Sequence, residues 1–454
     1  MRGDVEELDH LPHAREGLIQ TIAMRSTHKR GPILPGFALF LFVILFSLGC
    51  PPKPSPAKDD AGPSAVGDAA VVNTPVATAG DAARGKELVA TFQCNRCHDG
   101  TGHEAAPQNK HCVHCHKDIM EDRFKAPAAS ITRWKPRVKE YADAPSLEAM
   151  KMRFNRTWVE AYLQKPFDVR PNLHQYMPSL PIEPQQAKDI AAYLVPDDHG
   201  SGAPDLAKPD LGKGRQVLET KGCGACHSMT GVAAIPASNP PSMDPREFDR
   251  AHKLAPDLRY TRDRLRYVQT VKAFLRDPKA VKPDSPMPKI ALTDEEITNV
   301  VGYIVSVELS DLPPPKKAER LPVLERKVTF KEVDEKVFHR TCWHCHSEPD
   351  YAIGDGGPGN SGGLGFKPRG LNLSDYNGIA AGYLDDKGER AGVFAKDKDG
   401  TPRLVRAMMA RHEEVNAPNG NGYGEVRGMP LGYDPLPLEE IQLVETWIAQ
   451  GRPR

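Results

Sequence analysis

The sequence predicts an all-α fold, three small helical domains in tandem with long irregular loops between their helices. Three observations predict it. Short amphipathic stretches with helical spacing of apolar residues begin near Arg84, Gly214 and Phe330, and recur around Tyr193, Tyr303 and Trp447. The segments that open at Gly85 and Gly214 then run parallel, landmark by landmark. Finally, the phrase Cys-x-x-Cys-His occurs four times.

The four copies use Cys94 and Cys97 with His98, Cys112 and Cys115 with His116, Cys223 and Cys226 with His227, and Cys342 and Cys345 with His346. Two thiols three residues apart can bond to the two vinyl-derived carbons on one porphyrin edge. The histidine directly after them is placed to ligate the iron. The expectation is four covalently bound haem c groups. A zinc ribbon is the rival reading, since fourteen residues separate Cys97 from Cys112. Zinc has no need of a histidine after every second cysteine, however, and no βαβ pattern supports a thioredoxin-like pair.

Taken from the start, residues 1–50 have the pattern of an export signal, with Met24 as the expected true start. Arg25, His28, Lys29 and Arg30 form a basic region, followed by the apolar residues 33–48 and then Cys50. Ser47-Leu48-Gly49-Cys50 resembles a bacterial lipoprotein cleavage site, which implies a lipidated Cys50. A cleaved soluble form and an uncleaved anchor are the alternatives, although an apolar stretch broken by Pro35 and Gly36 is short for a membrane span. All three place the rest of the chain outside the cytoplasm, on the periplasmic side of a bacterial membrane. Residues 51–80, rich in Pro, Ala, Gly and Asp, form a flexible tether.

The domains are expected at 81–198, 211–310 and 329–454. In the first two, a short helix leads directly into Cys94 and into Cys223. Downstream, Ala144-Pro145-Ser146-Leu147 answers Ala255-Pro256-Asp257-Leu258, and Met177-Pro178 answers Met287-Pro288. Tyr193 and Tyr303 each follow their methionine by sixteen residues, and Thr293 with Glu296 fits a capping box at the start of a closing helix. The third stretch ends on Met429-Pro430 and an amphipathic segment over 438–448. Linkers fall at 196–209 and 312–317, and the glycine-rich run 354–365 is expected to be a surface loop rather than a phosphate-binding one.

The common order of helix, haem motif, irregular loop, Met-Pro and helix resembles class I cytochrome c domains, over roughly residues 81–454. The resemblance implies three cytochrome c-like helical haem domains, the first of them dihaem. In each, the terminal helices would cross beside the haem and a methionine would be the distal iron ligand. Met177, Met287 and Met429 hold that position, with Met408 and Met409 as rivals in the third domain. The first domain has two haem motifs but one Met-Pro. The leading helix adjoins Cys94, which favours His98 with Met177. The spacing from His116 to Pro145 equals that from His227 to Pro256, which favours the second motif instead. The remaining iron is expected to take nitrogen, from His111 first and His103 next; His174 is also at hand, and His114 sits inside its own attachment loop.

A sixth ligand saturates the iron and favours outer-sphere electron transfer, methionine raising the potential. The sequence therefore suggests an electron carrier rather than an enzyme, working between redox proteins or a membrane respiratory complex. A haem oxidoreductase or peroxidase with one open iron is the alternative, and so is a cytochrome subunit of such a complex. Lys+Arg and Asp+Glu both number 60, so nucleic acid is not indicated as a partner.

Overall fold

The computed structural model describes residues 79–454 apart from 139–142, 149, 168, 174–176, 179, 197–207, 266, 315, 349–369, 386 and 418–425. The expected export segment with Cys50, almost all of the tether, the glycine-rich run and His174 lie outside the described residues. Among the described residues, no helix is long and apolar enough to cross a membrane.

The first stretch contains α1 (Ala82–Thr91), α2 (Cys112–Met120), α3 (Ala128–Val138), α4 (Met150–Arg153), α5 (Arg156–Gln164) and α6 (Pro184–Leu194). The second contains α7 (Leu211–Thr220), α8 (Pro245–Leu254), α9 (Thr261–Arg264), α10 (Val268–Arg276), α11 (Pro278–Val281) and α12 (Asp294–Ser306). In the third, α13 (Phe330–Val333) runs on as a π-helix over Asp334–Cys342. It is followed by α14 (Tyr376–Ala381), the strands β1 (Tyr383–Leu384) and β2 (Arg390–Ala391), α15 (Arg403–Val415) and α16 (Leu438–Ala449). The strands pair antiparallel, Tyr383 opposite Ala391 and Leu384 opposite Arg390, a small departure from an all-helical chain.

The helix that leads into a Cys-x-x-Cys-His motif packs against the last helix of its stretch: α1 on α6, α7 on α12, and the α13–π segment on α16. The first two pairs cross at a glycine. A Cβ on Gly85 would collide with Asp189 and Tyr193, and one on Gly214 with Asn299 and Tyr303, so only hydrogen allows this approach. Polar groups match across both crossings. The Asp81 N–H donates to Asp189 Oδ1 at 2.8 Å, and the Asp210 N–H donates to Asn299 Oδ1 at 2.9 Å. Asp189 also takes Arg84 Nε at 2.7 Å and Nη2 at 2.9 Å. Thr293 and Glu296 close the capping box that starts α12.

Each pair buries its own apolar cluster: Val89, Phe92, Ile190 and Ala191; Val217, Leu218, Val300 and Ile304; Val337, Phe338, Ile441 and Val444. Trp447 is fully buried at the centre of the third, with the rings of Phe330, Phe338, Tyr376 and Phe394 around it and its indole N–H bonded to Pro453 O at 3.0 Å. Helices α2 and α3 add a small core of Cys115, Ile119, Ile131 and Trp134.

The first two stretches are joined by backbone. Asn155 N–H donates to Arg264 O at 2.9 Å, Asp257 N–H donates to Val169 O at 2.8 Å, and Phe167 packs on Tyr260. The described residues form one compact unit.

Candidate haem sites

Each motif is wound into one helical turn, and that turn arranges its chemistry. The N–H of His98 bonds to Cys94 O at 2.9 Å, that of His227 to Cys223 O at 2.9 Å, and that of His346 to Cys342 O at 3.1 Å; the second motif is the first turn of α2. Residues three and four apart share a face of such a turn, so both thiols and the histidine project to one side. Ahead of the first and third motifs, the chain turns through a left-handed residue, Gln93 at φ 55° and Gly222 at φ 74°. The sequence thus converts helix end into attachment loop by the same bend twice.

The histidines are in the form a metal needs. The Nδ1 of His98 lies 2.8 Å from Pro145 O, and that of His227 lies 2.8 Å from Pro256 O. A carbonyl accepts only, so each Nδ1 carries the proton and each Nε2 keeps its lone pair for iron. Burial lowers the pKa of both, and pushes His116 down to about 3 and His346 to about 4, so all four imidazoles are neutral at neutral pH. Desolvation raises the thiols, Cys94 and Cys223 to about 11, Cys115 and Cys342 to about 12. Paired thiols beside a neutral, tautomer-fixed histidine fit haem c.

The methionines differ in their support. Met177 packs against the core of α1, α5 and α6, while the Met287 N–H donates to the buried Ser285 Oγ at 3.3 Å. Met429 is held by a buried charged cluster that sequence reasoning missed. Its N–H donates to Ala407 O at 2.8 Å. The preceding Gly428 N–H donates to Glu414 Oε1 at 2.7 Å, and Glu414 is flanked by Arg411 at 3.5 Å and Arg427 at 3.3 Å. Met408 and Met409 are buried within the core around Trp447.

Of the other expected ligands, His103 Nε2 lies 2.8 Å from Lys86 O. His111 is fully buried and caps α2: its Nδ1 accepts from the His114 N–H at 3.1 Å, its ring stacks on His114, and its Nε2 faces Asp99 at 3.7 Å.

The motifs do not stand apart. The thiol of Cys97 meets Cys112, Cys345 lies within electrostatic reach of Cys112, and the ring of His116 stands 6.2 Å from that of His344. Between the first and third motifs lies a group of arginines. Arg170 acts on His98 and Arg264 on His227, while Arg153 and Arg264 both lie over one Phe154 ring, at 5.2 Å and 5.9 Å. Burial, then Arg170 and Arg153, lowers Arg264 to about 10, and its Nε has no hydrogen-bond partner among the described residues. Arg153 and Arg264 each follow the histidine-binding proline by eight residues, a regularity visible in the sequence beside the Ala-Pro match.

Residues 211–308 match the family model described as Cytochrome c. No curated protein and no solved structure matches the chain. The match covers the stretch built on α7 and α12, and a covalently bound haem c and electron transfer follow from it for that stretch.

Proposed function

We propose that the protein is a tetrahaem c-type cytochrome that carries electrons between redox partners on the outer face of a bacterial membrane. Its domains are those at 81–198, 211–310 and 329–454, and an export signal with a lipid anchor at Cys50 holds it there. Each bound haem supplies a one-electron couple. The chain's residues do the rest. His98, His116, His227 and His346 would each hold an iron, with Pro145 and Pro256 orienting two of the rings and raising their basicity. Met177, Met287 and Met429 would supply a further ligand to the irons of His98, His227 and His346. The His98–Pro145 bond repeats His227–Pro256, and that likeness supports pairing Met177 with the first motif. Arg153, Arg170 and Arg264 supply charge-assisted bonds for haem carboxylates on both sides of their group.

The observation that carries this reading is the adjacency of all four motifs. The order His227, arginine group, His98, Cys97 with Cys112, and Cys112 with Cys345 leaves no motif stranded. A row of close redox centres is what a carrier needs, since tunnelling falls steeply with distance. The test is protein matured in a strain competent for haem attachment. A pyridine haemochrome assay should give four haems per chain, and the oxidised protein should be low-spin throughout. Two or three haems, stoichiometric zinc, or a high-spin fraction would overturn it.

A further inference from the structure

The second motif is the one whose iron has no Met-Pro step to serve it, and the protein brings a different side chain to its histidine. His344 lies between the two cysteines of the fourth motif. Its ring centre is 6.2 Å from that of His116, with the planes 31° apart. Two histidines bound to one metal at about 2.0 Å each, with ring centres about 1.2 Å behind the binding nitrogens, stand about 6.4 Å apart. Rings stacked face to face stand closer, as His111 and His114 do at 3.6 Å. We propose that His344 is the sixth ligand of the iron held by His116, reaching it from inside the attachment loop of the fourth haem. This rests on the reading that the second motif carries haem.

The surroundings of His344 agree. Its ring meets Trp343 edge-on at 5.9 Å, and among the described residues it makes no hydrogen bond that would commit a nitrogen. The other nitrogen donors nearby are committed. His111 accepts a hydrogen bond at Nδ1, so in its neutral form the proton sits on Nε2, the atom that faces Asp99. His103 points its Nε2 at Lys86 O, which requires a proton there as well. His98 and His227 show the opposite arrangement, with Nδ1 tied and Nε2 open.

The assignment has a consequence for the electron path. His344 is one residue from Cys345 and two from Cys342, the two anchors of the fourth haem. A ligand bond from His344 therefore links the second iron to the fourth haem through a few covalent bonds. It also ties the third stretch to the first across their boundary.

The test uses the full-length matured protein. His344→Gly should keep four haems by pyridine haemochrome while one ferric haem becomes high-spin in low-temperature paramagnetic resonance. The ferrous form should bind one carbon monoxide per chain where the wild type binds none, and added imidazole should restore the low-spin signal. His344→Met should keep that haem low-spin but raise its potential, because thioether favours ferrous iron relative to imidazole. His111→Ala and His103→Ala should leave the bis-histidine signal in place. A His344→Gly protein with four haems and an unchanged spectrum overturns the assignment, and so does loss of the signal in His111→Ala. A wild-type protein with only three haems would instead show that the tetrahaem reading has failed.

Discussion

Gly214→Ala separates helix preference from helix crossing. In an isolated helix, alanine is better than glycine by about 0.8–1.0 kcal/mol. In α7 the added carbon would stand 2.8 Å from Asn299 C and 2.9 Å from Tyr303 Cβ, and closer still to Asn299 O, where ordinary contact is 3.4–4 Å. These obstacles are the backbone of α12 and the stem of one of its side chains, which cannot rotate aside. The helices must part by more than half an ångström, loosening Val217 and Leu218 from Val300 and Ile304. Overpacking of this kind costs about 1–3 kcal/mol, so after the helix gain the net loss reaches about 2 kcal/mol. Gly212→Ala, two residues earlier in the same helix, is the matched control, because its carbon would meet only Asp210 Oδ1 at 3.4 Å. Thermal unfolding of the matured protein by far-ultraviolet circular dichroism should place Gly214→Ala below the wild type and Gly212→Ala level with it or above. Equal melting of the two variants would refute the reasoning.

Asp189 gives a pH dependence. Burial alone would raise its carboxyl, but hydrogen bonds from Arg84, the Asp81 N–H and Gln185 outweigh it and hold the pKa below the ordinary 3.8. The folded pKa is depressed, so its stabilisation is complete above 3.8 and is lost as pH falls through the lower folded value. Asp189→Asn, the side chain that Asn299 offers at the equivalent crossing, should flatten this part of the acid dependence of the urea midpoint; an acid slope as steep as that of the wild type would count against it. Glu414→Gln should cost about 3–5 kcal/mol, because it leaves the buried Arg411 beside a neutral partner. The glutamine Oε1 can still accept from the Gly428 N–H, so the weak red-edge absorbance of methionine-ligated ferric haem should persist while stability falls; an unaltered melting temperature would contradict this.

What the sequence made legible was local. The turn of each motif, the helices leading into Cys94 and Cys223, the capping box at Thr293 and the closing segment over 438–448 all follow from spacings within a few residues. The pairing of Pro145 with His98 was only half legible, because the helix leading into Cys94 favoured the first motif while the equal spacing from His116 favoured the second: α2 and α3 lengthen the loop without moving the proline from the first motif. His344 was invisible for a related reason. Its significance lies in a contact with His116 made only when the first and third stretches pack, and no periodicity records that. The charged cluster of Arg411, Glu414 and Arg427 was hidden in residues whose composition suggests a solvated helix face. The β-hairpin at Tyr383 and Arg390 is two residues a side, too short to leave an alternating pattern.

The burial of the second motif sets an order of events during biogenesis. Cys115 is 4 % exposed and its thiol is pushed up to about 12, while Cys112 is buried beside it. A thiol so enclosed and so reluctant to ionise is inert toward an incoming reagent. On the tetrahaem reading, the thioether bonds at Cys112 and Cys115 must therefore form on a chain whose α2 has not yet docked, before Cys345 and His344 arrive from the far end. Maturation on that reading is a race between ligation and collapse, and a chain that collapses first would enclose its second pair of cysteines beyond the reach of the machinery that modifies them.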